Sequence, residues 1–164
     1  MEYTQESFAE LSKRHSRMRI LNCYFDEPWV DAKAIDSEFE ECTEFSFVQA
    51  TLDVARTFLE NRYLLCLAGN DVASTLYWAI GTNSLAFKEE TLYETIPDYF
   101  LQPWVHYVPI SQGLGDLRDK FEYCERILGL CKSIITNANE AYDRILYSNE
   151  WLEAEIAVLD RIMG

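Results

Sequence analysis

The clearest pattern in the chain is Tyr63 to Ala68, YLLCLA, an unbroken apolar run that stops at Gly69-Asn70. A run this short and continuous suits a strand covered on both faces, as in a parallel sheet. Before it, Val48, Leu52, Ala55 and Leu59 recur at spacings of four, three and four, which is one face of a helix. After it, Val72, Leu76, Ala79 and Ile80 form a second helical face, with Asp71 placed to cap the helix start. Gly81 to Asn83 make a turn, and Ser84 to Phe87 read as a short strand. Pro103 precedes another strand, Val105 to Ile110. Asp116 then opens a helix carrying Leu117, Phe121, Cys124 and Leu128. Helical spacing continues through Ile134, Ile135, Ala138 and Ile145, and again through Leu152, Ile156 and Leu159.

The N-terminal third is less regular. Glu6 to His15 suits a short helix, and Arg19 to Phe25 suits a first strand closed by Pro28. Asp31 to Cys42 is acidic and weakly helical. Short strands alternating with helices predict one α/β domain over residues 1–164, a Rossmann-like parallel sheet with helices on both faces and a helical C-terminus over 141–164. Ligands of such sheets bind outside the carboxyl ends of the strands.

Composition narrows the function. With 49% hydrophobic residues the 164-residue chain is globular rather than disordered. A net charge of -14 argues against a nucleic-acid or anionic-membrane surface, which needs a basic patch. Five cysteines, an odd number without a CxxC pair, read as reduced, packed thiols. Two histidines, no HExxH and no Cys/His cluster argue against a zinc site. Met1 to His15 lacks the apolar core of a signal peptide, and no apolar run is long enough to span a bilayer, so the expected location is cytoplasmic.

Three segments carry candidate chemistry. At Gly69 the chain can turn without steric penalty, and a helix starting over Asp71 to Ser74 would point free N–H groups at the strand end. That is an anion site suited to a diphosphate, with Ser74 adding a hydroxyl. Strand-to-helix turns in any α/β fold share these features, and the Asp71 carboxylate competes with an anion, so the local pattern alone favours an ordinary cap. Basic residues are scarce here, with Arg62 and Lys88 only flanking the segment. In the second segment, Trp104, His106 and Val108 would share one strand face, where an aromatic and a histidine could line a nucleotide or sugar pocket. A half-buried structural histidine fits the same pattern. In the third, Glu89, Glu90 and Glu94 follow a strand and could hold ribose hydroxyls, although solvent exposure is the preferred account of Glu89 and Glu90.

Taken in order, YLLCLAGNDVAS (63–74), TNSLAFK (82–88), Tyr93-Glu94, QPWVHYVPI (102–110) and the helix opening at Asp116-Leu117 resemble the C-terminal half of glycosyltransferase family 90, the lipopolysaccharide-modifying, capsule-associated and protein O-glucosyltransferase type. Weaker similarity reaches back through Trp29-Val30-Asp31-Ala32, and the resemblance covers roughly residues 17–140. It implies the C-terminal half of a GT-B architecture, holding a nucleotide sugar, usually UDP-linked, for transfer to a glycan or protein hydroxyl without an obligatory metal or other cofactor. The implied donor-binding residues are Gly69, Asn70, Asp71, Val72, Ala73, Ser74, Asn83, Ser84, Lys88, Tyr93, Glu94 and His106. Many members carry a basic residue in the helix after the glycine turn, where this chain has Thr75, Leu76, Tyr77 and Trp78. The family's general base, an aspartate, belongs to an N-terminal acceptor-binding half. No catalytic residue can therefore be named here, and the expected partner is such a half or a second copy of the chain. The alternative is a non-catalytic interaction module that keeps only the fold.

Overall fold

The computed structural model of the protein describes residues 5–24, 26–32, 56, 59–69 and 72–163. Its centre is a parallel sheet of β1 (Tyr63–Cys66), β2 (Leu85–Glu89) and β3 (Val108–Ile110), hydrogen-bonded in that order. Tyr63 lies opposite Leu85 and Cys66 opposite Lys88, while Phe87 lies opposite Val108 and Glu89 opposite Ile110. β2 is the middle strand, which is why Leu85, Ala86 and Phe87 are all buried.

Side-chain alternation sends two sets of residues to opposite faces. Leu85, Phe87, Val108 and Ile110 pack on one face with Ile20 and Leu21 of α2 (Ser16–Tyr24), Leu117 and Cys124 of α4 (Leu117–Arg126), and Cys131 and Ile134 of α5 (Leu128–Tyr147). Leu64, Cys66 and Ala86 pack on the other with Leu76 and Ala79 of α3 (Thr75–Ala79), Ile80, Leu101 and Tyr107. Ala138 and Ala141 of α5 belong to this second core, so one 20-residue helix serves both. Asn139 of α5 donates to the carbonyls of Ile80 (2.8 Å) and Thr82 (2.9 Å), tying the helix to the turn that precedes β2. Helices thus cover both faces of a parallel sheet, as the alternation predicts.

Several elements differ from the sequence reading. Arg19 to Tyr24 is not a strand but most of helix α2, which follows α1 (Gln5–Arg14). A short apolar run fits either period, and here Ile20, Leu21 and Tyr24 face the first core while Asn22 and Cys23 face solvent, a helical arrangement. α3 starts at Thr75, with Ser74 in the N-cap position, so the expected helix does not reach back over Val72 and Ala73. β2 runs two residues beyond Phe87. β3 is only three residues long because Trp104, Val105 and His106 form a turn. The amides of Val105 and His106 donate to the Gln102 carbonyl, the Trp104 amide donates to the Tyr107 carbonyl at 2.7 Å, and Trp104 has φ 63°. Trp104, His106 and Val108 therefore do not share a strand face. The C-terminal helix breaks at Ser148, whose Oγ accepts from the Glu150 amide (3.2 Å) and starts α6 (Glu150–Met163). Of the expected helix over 31–42 only Asp31 and Ala32 are described, and neither is helical; of the expected face Val48, Leu52, Ala55 and Leu59 only Leu59 is described, in helical conformation. Cys66, Cys124 and Cys131 are buried free thiols, Cys23 is an exposed one, and burial pushes the Cys66 thiol up to about 12.

Candidate functional site at the carboxyl ends of the strands

Three segments leave the carboxyl ends of the sheet: Leu67–Gly69 after β1, Glu90 onward after β2, and Ser111–Asp116 after β3. One side chain joins them. Glu89, the last residue of β2, is 1% exposed, because it shares the inward face of Leu85 and Phe87. Its carboxylate accepts from the Ser16 hydroxyl at the start of α2, from the Ala68 amide (3.1 Å) and from the Gly113 amide (3.1 Å). A buried carboxylate is tolerated when donors satisfy it in this way. The solvent-exposed reading of Glu89 is thus overturned, whereas Glu90 is exposed. The sequence pattern ends the strand at Phe87; extending its alternation by two positions places Glu89 on the buried face.

Both glycines beside this carboxylate meet an arginine of α2. Gly113 has φ +87°, and a Cβ there would overlap the guanidinium of Arg19. Arg19 is anchored by donating to the carbonyls of Ser12 (Nε, 3.0 Å) and Lys13 at the end of α1. Gly69 is exposed, and a Cβ there would lie 3.3 Å from Nη2 of Arg17. Sequence reasoning missed Arg17, which stands 52 positions from Gly69 with no local signal joining them.

After β3, the Asp116 carboxylate accepts from the Ser111 amide (2.9 Å) and hydroxyl (2.7 Å) and pairs with Lys120 at 2.6 Å. Burial alone would raise its pKa; the bonds from Lys120 and Ser111 outweigh that and hold it below the usual carboxylate value.

On the opposite face of β2, Lys88 is committed elsewhere. Its ammonium lies 3.2 Å from Asp98 Oδ1, both side chains are nearly buried, and it sits 5.1 Å from the centre of the Tyr107 ring. Asp98 Oδ2 accepts from the Thr95 amide (2.7 Å), the Thr95 hydroxyl (2.8 Å) and the Tyr77 hydroxyl (3.1 Å). Burial works against ionisation of Asp98, but the Thr95 bonds and Lys88 prevail and its pKa is lowered. Burial and the nearby Glu90 raise the Tyr107 phenol, so it stays protonated.

Of the other predicted residues, Val72 and Ser74 are at least partly exposed beyond Gly69, Ala73 is buried in the second core, and Asn70 and Asp71 lie outside the described residues. Tyr93 and Glu94 stand exposed on the loop after β2. Asn83 and Ser84 do not join them. They precede β2, where the Ser84 hydroxyl donates to the Asn61 carbonyl (2.6 Å), and the four residue steps from Leu85 to Glu89 separate the two ends by about 13 Å. His106 belongs to the turn before β3, and its Nδ1 accepts the Gln102 amide at 2.8 Å, leaving the proton on Nε2. Burial and the Arg144 charge hold its pKa below the usual value. Among the described residues, no three His, Cys, Asp or Glu side chains converge as metal ligands would, and no helix is long and apolar enough to cross a membrane.

Residues 10–150, which include every candidate above, match the family described as glycosyl transferase family 90. The chain belongs to that family. The O-glucosyltransferase LpsA of Dichelobacter nodosus is 31% identical over 128 residues, 77% of this chain and 39% of that protein. Protein O-glucosyltransferase 3 of Mus musculus is 27% identical over 119 residues, 72% of this chain and 24% of its own length. Protein O-glucosyltransferase 2 of Danio rerio is 31% identical over 68 residues, 42% of this chain and 14% of its own length. This family 90 chain therefore spans about two fifths of the bacterial relative, at 39%, and less of the two animal ones, at 24% and 14%. No solved structure matches it.

Proposed function

We propose that this chain is the donor-binding part of a glycosyltransferase, holding a nucleotide sugar of the UDP class at the carboxyl ends of β1, β2 and β3. The observation that carries the reading is the exposed Gly69 just past the parallel strand β1, in a chain whose relatives are O-glucosyltransferases. Parallel sheets with helices on both faces take ligands at that edge. A missing Cβ at Gly69 leaves the backbone open to close approach. Among the site residues named from sequence, Gly69, Val72, Ser74, Tyr93 and Glu94 stay in this proposal. Asn83 and Ser84 drop out because they sit at the other end of the strand, and Lys88 and His106 act as supports of the surrounding packing.

In the reaction, the bond between the sugar's anomeric carbon and the diphosphate oxygen breaks. A bond from that carbon to an acceptor hydroxyl of a glycan or protein forms, and the nucleoside diphosphate leaves. The hydroxyl proton passes to a general base, which we assign to an acceptor-binding part outside this chain, across a cleft of GT-B type. The chain's own contribution is to bind and orient the donor and to stabilise the charge on the leaving diphosphate.

A second reading, an interaction module without chemistry, draws on α6. That helix has no fully buried residue and exposes Leu152, Ile156, Leu159, Ile162 and Met163, a surface suited to a protein partner. Calorimetric titration with UDP and UDP-glucose, without metal and then with magnesium, separates the two. Saturable binding without metal is the expected result. A folded sample that binds neither ligand at millimolar concentration would leave the interaction module as the better account.

A further inference from the structure

Among the described strands, β3 lies at the edge of the sheet, and a surface cavity of about 370 Å³ flanks it. Trp104 of the turn before β3, Asp119, Lys120 and Tyr123 of α4, and Leu130 of α5 line the cavity. Lys120 ties this lining to the strand, because its ammonium donates to the Pro109 carbonyl at 2.5 Å and pairs with Asp116 at 2.6 Å. Leu130 packs against the first core from below. A volume of this size and an apolar lining with a few polar groups are the marks of a small-ligand site.

Trp104 stands in the left-handed region at φ 63°, a conformation that costs a residue with a Cβ free energy. Leu114, the other non-glycine residue with positive φ among those described, is fully buried in the first core, so packing accounts for it. Trp104 is 37% exposed, and burial does not account for its conformation. Hydrogen bonds of the turn hold it instead: the Trp104 amide donates to the Tyr107 carbonyl at 2.7 Å and the His106 amide to the Gln102 carbonyl at 3.0 Å. The turn thus presents an indole at the cavity, where Tyr123 meets it with ring centres 5.7 Å apart and planes at 83°. An edge-to-face pair covers a single ring face, unlike a stacked pair. The Trp104 indole N–H, the Tyr123 hydroxyl and the Asp119 carboxylate belong to exposed residues, and none has a hydrogen-bond partner among the described residues.

We propose that this cavity is a binding site for a neutral sugar ring, a glycan site separate from the donor site at the carboxyl ends of the strands. The C–H groups on one face of a pyranose carry partial positive charge and match the negative face of an aromatic ring. Its hydroxyls then meet the Asp119 carboxylate as acceptor, the indole N–H as donor and the Tyr123 hydroxyl as either. Charge selects a neutral ligand. One carboxylate and one ammonium line the cavity, the Lys120 ammonium opposes a cation, and the -14 of the chain opposes an anion. Glycan binding here requires no nucleotide, so the site stands independently of the donor-binding reading.

The test titrates the full chain, without UDP, with maltotriose, cellotriose and N-acetylchitotriose, and with trigalacturonate and choline as charged controls. Binding is followed at the indole N–H signals in nitrogen–proton correlation spectra. Saturable binding of a neutral trisaccharide that shifts the Trp104 signal, assigned by its loss in Trp104→Gly, is the expected result. Trp104→Gly places a glycine where φ is positive, so it is expected to keep the thermal midpoint within about 3 °C of the parent and to weaken that binding tenfold or more. Asp119→Asn, at an exposed position, is expected to weaken it severalfold and keeps the test open should Trp104→Gly not fold. Trisaccharide affinity within twofold of the parent in both variants would overturn the site. So would choline or trigalacturonate binding in place of the neutral sugars, or no trisaccharide binding by the folded parent at millimolar concentration.

Discussion

Glu89 illustrates how a single side chain decides local structure. Its carboxylate satisfies two backbone amides and a hydroxyl from three segments in a site with almost no solvent. Glu89→Ala would leave the Ala68 and Gly113 amides without their acceptor, at a cost of about 3 kcal/mol. Chemical denaturation checks this; a midpoint equal to that of the parent would show that the amides find other partners. His106 carries a pH dependence. Burial and Arg144 disfavour the imidazolium in the folded chain, so the unfolded chain binds more protons between the lowered folded pKa and the ordinary histidine value of 6.5. Stability from this group is present above pH about 6.5 and is lost as pH falls through the folded value. His106→Gln should flatten the thermal midpoint against pH in that window, and an unchanged profile would remove His106 as its source. Neither role is legible locally. Glu89 reads as part of an acidic loop, and His106 as a strand residue, until the ends of β2 and β3 are placed.

At the scale of elements, pattern and structure agree where a segment is long or buried on both faces. β1, β2, α4 and α5 follow from apolar runs or 3.6-residue spacing. They disagree where the apolar run is short. Residues 19–24 alternate in neither period strongly enough to choose, and burial of Ile20 and Leu21 in the core that includes Leu85, Phe87, Val108 and Ile110 settles the helix. Trp104 to His106 carry strand-forming residue types, but hydrogen bonds to the Gln102 and Tyr107 carbonyls turn the chain there instead. α5 and α6 show a similar contrast in energetics. Ile134 is 1% exposed within the first core, whereas α6 has no buried residue. Ile134→Ala should cost about 3 kcal/mol, while truncation after Ser148 should lower the thermal midpoint by less than about 5 °C. Calorimetry of the two variants checks both, and a truncation as damaging as Ile134→Ala would show that α6 is part of the core.

For the whole molecule, two cores on opposite faces of one small sheet leave the carboxyl edge as the place where α2 and the segments after β1 and β3 meet. The amino sequence by itself determined the α/β class, the buried parallel strands and the family, because continuous apolar runs, helical spacing and ordered motif blocks are properties of neighbouring residues. It also singled out Gly69, which lies exposed three residues beyond β1. Only the tertiary structure decided which residues share its surroundings. Asn83 and Ser84, close to Gly69 in sequence, lie at the far end of β2, because a parallel crossover returns the chain to the opposite edge of the sheet. Arg17, 52 positions away, lies beside it, because a buried carboxylate on a third segment bonds the neighbours of both.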